Sequence, residues 1–203
     1  MTAASLDRIQ DAIESHSIKA VAIGASAGAI EALSVILPSV PSNSSLSILI
    51  VVHIPPDRES VLSQLFARKC VANVREVEDK LQIEPATIYF APSDYHLLVE
   101  EGGYFSLSVD DPVLYSRPSI DVLFESAADA YGSSLLGIIL TGANSDGAKG
   151  LRAVHDLGGF TIVQQPSQAE ISTMPQAALT ACPDALPLTL QQIASLMRSS
   201  TKQ

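Results

Sequence analysis

The sequence predicts an α/β domain: a mostly parallel sheet with helices on both faces and a small antiparallel hairpin inserted in it. Three observations predict this. Short apolar runs alternate with stretches of helical periodicity from one end of the chain to the other. The runs at 46–52 and 135–140 are almost wholly apolar, as strands of a parallel sheet covered on both faces must be. Glu101-Gly102-Gly103 separates two short strand-like runs, which is a hairpin signal.

Taken in order, residues 5–16 read as a short amphipathic helix with Leu6, Ile9 and Ile13 on one face. Residues 1–18 are too few to make a domain, so they are expected to be a helical extension on a single domain spanning 19–203. A buried strand at 21–23 runs through small residues into a helix at 27–37. Pro38, Pro41 and the serines after them make a loop. The strand at 46–52 ends at His53-Ile54-Pro55-Pro56, and a helix at 61–69 follows, with Asp57 or Ser60 suited to cap it. Strands at 86–91, 96–99 and 104–109 make up the middle. A helix at 119–131 leads to the strand at 135–140, which ends in Thr141-Gly142-Ala143-Asn144-Ser145-Asp146-Gly147. Helix 148–157 is closed by Gly158-Gly159. A strand at 160–163, a helix at 175–180, a short strand at 185–188 and a helix at 190–198 complete the chain.

Composition narrows the function. The 203 residues suffice for one well-filled core, and 47% hydrophobic against 17% charged residues is a globular balance. The net charge is −10, from 12 Lys and Arg against 22 Asp and Glu, and this opposes binding to nucleic acid or to an anionic membrane surface. Cys70 and Cys182 have neither disulfide nor metal spacing and read as ordinary thiols of a reducing compartment. No apolar run is long enough to span a membrane, and the N-terminus lacks a signal-peptide pattern, so a soluble cytoplasmic protein is expected.

Gly24-Ala25-Ser26-Ala27-Gly28 fits G-x-S-x-G, in which a serine on a sharp strand-to-helix turn is lifted clear of the sheet. The following backbone N–H groups can then receive a developing oxyanion. An ordinary strand-to-helix turn eased by glycines fits the same five residues. What sharpens the reading is that three apolar strands end in reactive residue types: Ser26, His53 and Asp146. Active crevices of open α/β sheets lie beyond the carboxyl ends of the strands. A serine, a histidine and a carboxylate meeting there are the set for nucleophilic acyl transfer. His53 follows a buried strand directly, unlike His16, His96 and His155. Asp146 also suits a helix cap, and Asp94 and Asp121 are other carboxylates, the latter explained by its place in a first helical turn. The order Ser, His, Asp differs from the Ser, acid, His order of α/β-hydrolases.

From about Lys19 to Met197 the chain resembles the catalytic domain of chemotaxis-receptor protein-glutamate methylesterases of the CheB type. The resemblance is carried by Ile23-Gly24-Ala25-Ser26-Ala27-Gly28, His53-Ile54-Pro55-Pro56, Ile88-Tyr89-Phe90-Ala91-Pro92 with Asp94 and His96, Arg117-Pro118-Ser119-Ile120-Asp121-Val122-Leu123-Phe124, Leu140-Thr141-Gly142 with Asp146-Gly147-Ala148, and Met174-Pro175 before Ala177. It implies a doubly wound sheet and a triad with Ser26 as nucleophile, His53 as base and Asp146 as orienting acid. The reaction implied is hydrolysis of γ-glutamyl methyl esters on the cytoplasmic helices of methyl-accepting chemoreceptors, with deamidation of receptor glutamines as a second activity. No cofactor or metal is implied. The backbone near Ala27 and Ala143 would form the oxyanion hole, with Thr141, Met174 and Arg117 at the substrate site. Where the family usually carries Thr, Gly, Gln, Met and Gly, this chain has Ala27, Ala29, Val52, Ala143 and Asn144. Many relatives carry an N-terminal receiver domain, which this sequence lacks; regulation would then come from a signalling partner in trans.

Two other readings stay open in the sequence. One is a module of the same fold that binds its partner without turnover, or with altered specificity. The other is a hydrolase of small esters or amides. An acidic receptor helix would need basic residues at the docking face, and Arg58, Arg68, Lys69 and Arg117 are the candidates. Scattered solvated charges account for them equally well.

Overall fold

The computed structural model describes residues 3–15, 17–53 and 61–201. The chain opens with helix α1 (Ala3–Glu14), followed by β1 (Ala20–Ala25), α2 (Ala29–Ile36), β2 (Ser47–Val52) and α3 (Leu62–Ala67). The middle holds β3 (Asn73–Glu76), β4 (Thr87–Phe90), β5 (His96–Glu100) and β6 (Tyr104–Ser108). Then come α4 (Ile120–Tyr131), β7 (Leu135–Ile139), α5 (Ala148–Asp156), β8 (Phe160–Gln164), α6 (Thr173–Ala181), β9 (Leu186–Leu188) and α7 (Leu190–Arg198).

Seven strands form one sheet in the order β3-β4-β2-β1-β7-β8-β9, and every pairing in it is parallel. The strand order reverses direction at β1, whose neighbours are β2 and β7, so this is a doubly wound sheet with its switch point at β1. Strands β5 and β6 make a separate antiparallel pair. The expected architecture is therefore present.

Alternation along the strands divides the core. Val21, Ile23, Ala25, Ile48, Ile50 and Val52 pack with Leu33, Ile36, Phe66, Ile193 and Leu196 on one face. Ala20, Ala22, Leu49, Val51 and Ile139 pack with Ile120, Leu123, Phe124 and Leu151 on the other. Helix α1 belongs to the first face through Ile9 and Ile13, both buried. The sequence reading did not include β3. It is an edge strand of sequence Asn-Val-Arg-Glu with two exposed ends, so it lacks the apolar run that betrays the central strands. His16, Ile54, Pro55, Pro56, Asp57, Arg58 and Ser60, named above, lie outside the described residues.

Candidate active site

The site stands at the carboxyl ends of β1, β2 and β7. In the register, Gly24 faces Val51 and Ala25 faces Val52, so Ser26 and His53 are the next residues of two adjacent strands, spaced about 4.8 Å apart by sheet geometry. Backbone bonds fix this arrangement. His53 N–H donates to Ala25 O at 3.2 Å, and Ser26 N–H donates to Thr141 O at 2.9 Å. Strand alternation then directs Ser26 and His53 to the same face as Gly24 and Val51, the face covered by α4.

Both glycines of the pentapeptide are required sterically. A Cβ on Gly24 would collide with the Ile120 side chain at the start of α4. Gly28 has φ 82°, and a Cβ there would lie 2.9 Å from Glu170 Cβ and 3.0 Å from Thr141 Cγ2. The turn is thus a forced, tightly enclosed one and not merely an easy passage into a helix.

Asp146 is completely buried and carries the most heavily bonded side chain of the site. Its Oδ2 accepts from His53 Nε2 at 2.8 Å and from Ile120 N–H at 2.7 Å. Its Oδ1 accepts from Ser119 Oγ at 2.9 Å, Asp121 N–H at 3.1 Å and Gly147 N–H at 3.0 Å. Asp146 therefore caps α4 from another segment, and Ser119, the residue before the helix, gives its hydroxyl to that carboxylate. Burial pushes the Asp146 carboxyl up, but the bonds it accepts from His53, Ile120 and Asp121 outweigh burial and hold it below its ordinary range. An ionised carboxylate can only accept, so His53 Nε2 carries the hydrogen. Nδ1 then presents the lone pair.

The described residues contain no hydrogen bond from the Ser26 hydroxyl to the His53 ring. Among the described residues the hydrogen-bond partner at Nδ1 is Ser116 Oγ, at 3.5 Å. The structure thus joins His53 to Asp146 and sets Ser26 beside them at the level of the backbone.

The remaining expected site residues divide. Ala27 is half-buried and Ala143 exposed, and among the described residues no acceptor takes either N–H. Thr141 is buried and works as a cross-link. Its Oγ1 lies 2.9 Å from Ala27 O and 3.2 Å from Ile171 O, and it accepts from Ile171 N–H at 2.9 Å. Met174 is buried against Gly142, where a Cβ would meet its methyl at 2.6 Å, so it supports the loop from beneath. Arg117 is tied internally: Nε and Nη2 donate to Asp94 Oδ1 at 3.0 and 2.7 Å, and Nη1 to the carbonyls of Val109 and Asp110. Lys69 donates to Ser34 and sits over the Phe66 ring. Of the four candidate docking cations, Arg58 is outside the described residues, two are engaged within the fold, and Arg68 is exposed.

Two further residues acquire their roles only in the structure. Buried His96 accepts from Ser119 N–H at Nδ1 (3.1 Å) and bonds Asp111 O through Nε2 (3.2 Å), so it is a structural histidine that anchors the start of α4. Asp121 accepts from Gly150 N–H at 2.7 Å, bolting α4 to α5, and burial is the main cause that pushes its carboxyl up to about 6. Invariant local signals for these roles do not exist in one sequence; the adjacency Ser119-Ile120-Asp121 before a helical run was the available hint.

A family model described as CheB methylesterase matches residues 21–197. The chain belongs to the CheB methylesterase family. A Leptospira interrogans protein provisionally named protein-glutamate methylesterase/protein-glutamine glutaminase is 43% identical over 178 residues, 88% of this chain and 92% of that one. The Salmonella typhimurium protein-glutamate methylesterase/protein-glutamine glutaminase is 37% identical over 166 residues; the match spans 80% of this chain and 47% of that longer one. The crystal structure of the Thermotoga maritima CheB methylesterase catalytic domain superposes with a TM-score of 0.84 at 31% identity, covering 89% of this chain and 97% of the other. Membership of the CheB methylesterase family makes this chain an ester hydrolase by descent. Among the described residues no helix is long and apolar enough to cross a membrane.

Proposed function

We propose that this protein hydrolyses γ-glutamyl methyl esters on the cytoplasmic helices of chemoreceptors, with Ser26, His53 and Asp146 as the working groups. The observation that carries the reading is the His53 to Asp146 bond of 2.8 Å at the rim where β1 delivers Ser26. In the proposed reaction Ser26 Oγ attacks the ester carbonyl carbon while His53 Nδ1 takes its proton. The oxyanion that forms is received by the N–H groups of Ala27 and Ala143. Collapse breaks the C–OCH3 bond, and the proton returns from His53 to the departing methoxide, releasing methanol. Water, deprotonated by His53, then cleaves the γ-glutamyl ester on Ser26 and frees the carboxylate. A glutamine side chain on the same route would lose ammonia instead.

Asp146 keeps Nε2 protonated and steadies the imidazolium. Cytoplasmic location follows from this substrate. The test is methanol release from methylated receptor membranes, wild type against Ser26→Ala. The expected loss is roughly 10⁴-fold or more with the fold intact. Unchanged release in the variant, or receptor binding with no release by the wild type, overturns the esterase mechanism; the second outcome favours a binding module.

A further inference from the structure

Residues 113–116 form a tight hairpin beside the candidate histidine. Val113 N–H donates to Ser116 O at 3.1 Å, and Ser116 N–H returns to Val113 O at 2.9 Å. Both central residues have positive φ, 47° at Leu114 and 65° at Tyr115. Such turns normally take Asn and Gly, because L side chains are strained in that region. Burial does not offset the strain here: Leu114 is 46% exposed and Tyr115 101%. Strained positions held without burial point to a surface role.

The base of the hairpin is rigid. Arg117 bonds Val109 O, Asp110 O and Asp94 and so locks the chain on both sides of the turn. The residue after Tyr115 is Ser116, whose Oγ lies 3.5 Å from His53 Nδ1. Tyr115 is thus one residue from the hydroxyl that meets His53, and its exposed side chain is within reach of a large substrate body attached to an ester seated at that histidine. Two of the candidate docking cations are already engaged. The chain carries a net −10, and Arg117 and Lys69 are bonded within the fold. What the rim offers is an exposed aromatic ring, the residue type that anchors interfaces.

We propose that this hairpin reads the protein substrate, with Tyr115, flanked by Leu114, packing on the apolar side of the receptor helix that bears the esterified glutamate. The inference rests on the esterase reading above and specifies what distinguishes a receptor helix from a small ester. A fully solvated ring contributes no burial to the fold, so its removal leaves the protein folded.

The experiment compares Tyr115→Ala and Tyr115→Phe on methylated receptor membranes and on p-nitrophenyl acetate. A parallel titration measures binding of a methylated receptor fragment to Ser26→Ala with and without Tyr115→Ala. Tyr115→Ala is expected to lower kcat/KM on receptor roughly tenfold more than on the small ester, through KM, and to weaken fragment binding by a similar factor. Tyr115→Phe should restore most of both. Equal effects on the two substrates, or wild-type receptor turnover and binding in Tyr115→Ala, overturn the inference and leave the esterase reading standing. Loss of fragment binding with Tyr115→Ala in a protein that never releases methanol upholds the hairpin and overturns the esterase reading. A wild type that neither binds nor hydrolyses receptor ends both.

Discussion

Asp146→Asn tests the heart of the site, and its effect can be worked from five hydrogen bonds. The carboxylate faces only donors: His53 and Ile120 at Oδ2, Ser119, Asp121 and Gly147 at Oδ1. An amide has one acceptor end, so its NH2 must confront donors. The less damaging orientation puts NH2 at the Oδ2 place, where His53 can respond by changing tautomer and the Ile120 N–H cannot. One buried backbone donor loses its bond, and the three bonds at Oδ1 lose their charge assistance, for a total of about 3 kcal/mol. The tautomer change moves the hydrogen onto Nδ1, the atom required to accept the Ser26 proton, so turnover should fall about 10⁴-fold. The pH dependence has a definite sign. Asp146 has a folded pKa below its ordinary value, so its contribution is complete above the unfolded value of about 3.9 and is lost as pH falls through the folded one. The variant's stability deficit should therefore be full at pH 7 and shrink in acid. Methanol release at pH 7, together with urea unfolding at pH 7 and pH 3, measures both effects. Retention of more than about a tenth of the wild-type turnover would refute the tautomer argument, and identical unfolding curves at pH 7 would refute the bonding argument.

Two further predictions follow from neighbouring residues. Gly28→Ala places a methyl against Glu170 and Thr141 at φ 82°, which should cost about 1–3 kcal/mol and lower Tm by roughly 5 °C; an unchanged melting curve would mean that the turn relaxes freely. Asp121 titrates the opposite way from Asp146. Burial raises it to about 6, so the folded protein keeps a proton that the unfolded chain releases, and stability falls as pH rises from about 4 to about 6. Asp121→Asn keeps an acceptor for Gly150 N–H and should be more stable than wild type by about 2 kcal/mol at pH 8, converging near pH 4. Unfolding curves that stay parallel across that range would remove the buried-charge account.

The parts of the candidate site written in local sequence are the strand ends that carry Ser26 and His53. Ser26 sits between two glycines at which any side chain would crowd its neighbours, at the end of a run that forms a buried strand. His53 likewise follows six buried strand residues. Thr141, Met174 and Arg117 were legible as members of the region but not in their roles. Each is bonded or packed to a residue far away in sequence: Thr141 to Ala27 and Ile171, Met174 to Gly142, Arg117 to Asp94. Strand β3 and the support given by His96 escaped for the same reason, since an edge strand needs few apolar residues and a buried histidine has no local periodicity.

The sequence alone determined the alternation of strands and helices, hence a covered parallel sheet, and it determined that a serine, a histidine and a carboxylate each follow an apolar strand. Local chain stiffness and apolar periodicity suffice for that, because both act over a few residues. Only the tertiary structure decided which nitrogen of His53 meets Asp146, that the start of α4 supplies three of the five donors holding that carboxylate, and that Ser116, next to the fully exposed Tyr115, comes to His53. These depend on strand order and on how closely α4 approaches Gly24, quantities set by the packing of the whole core and by no segment of it.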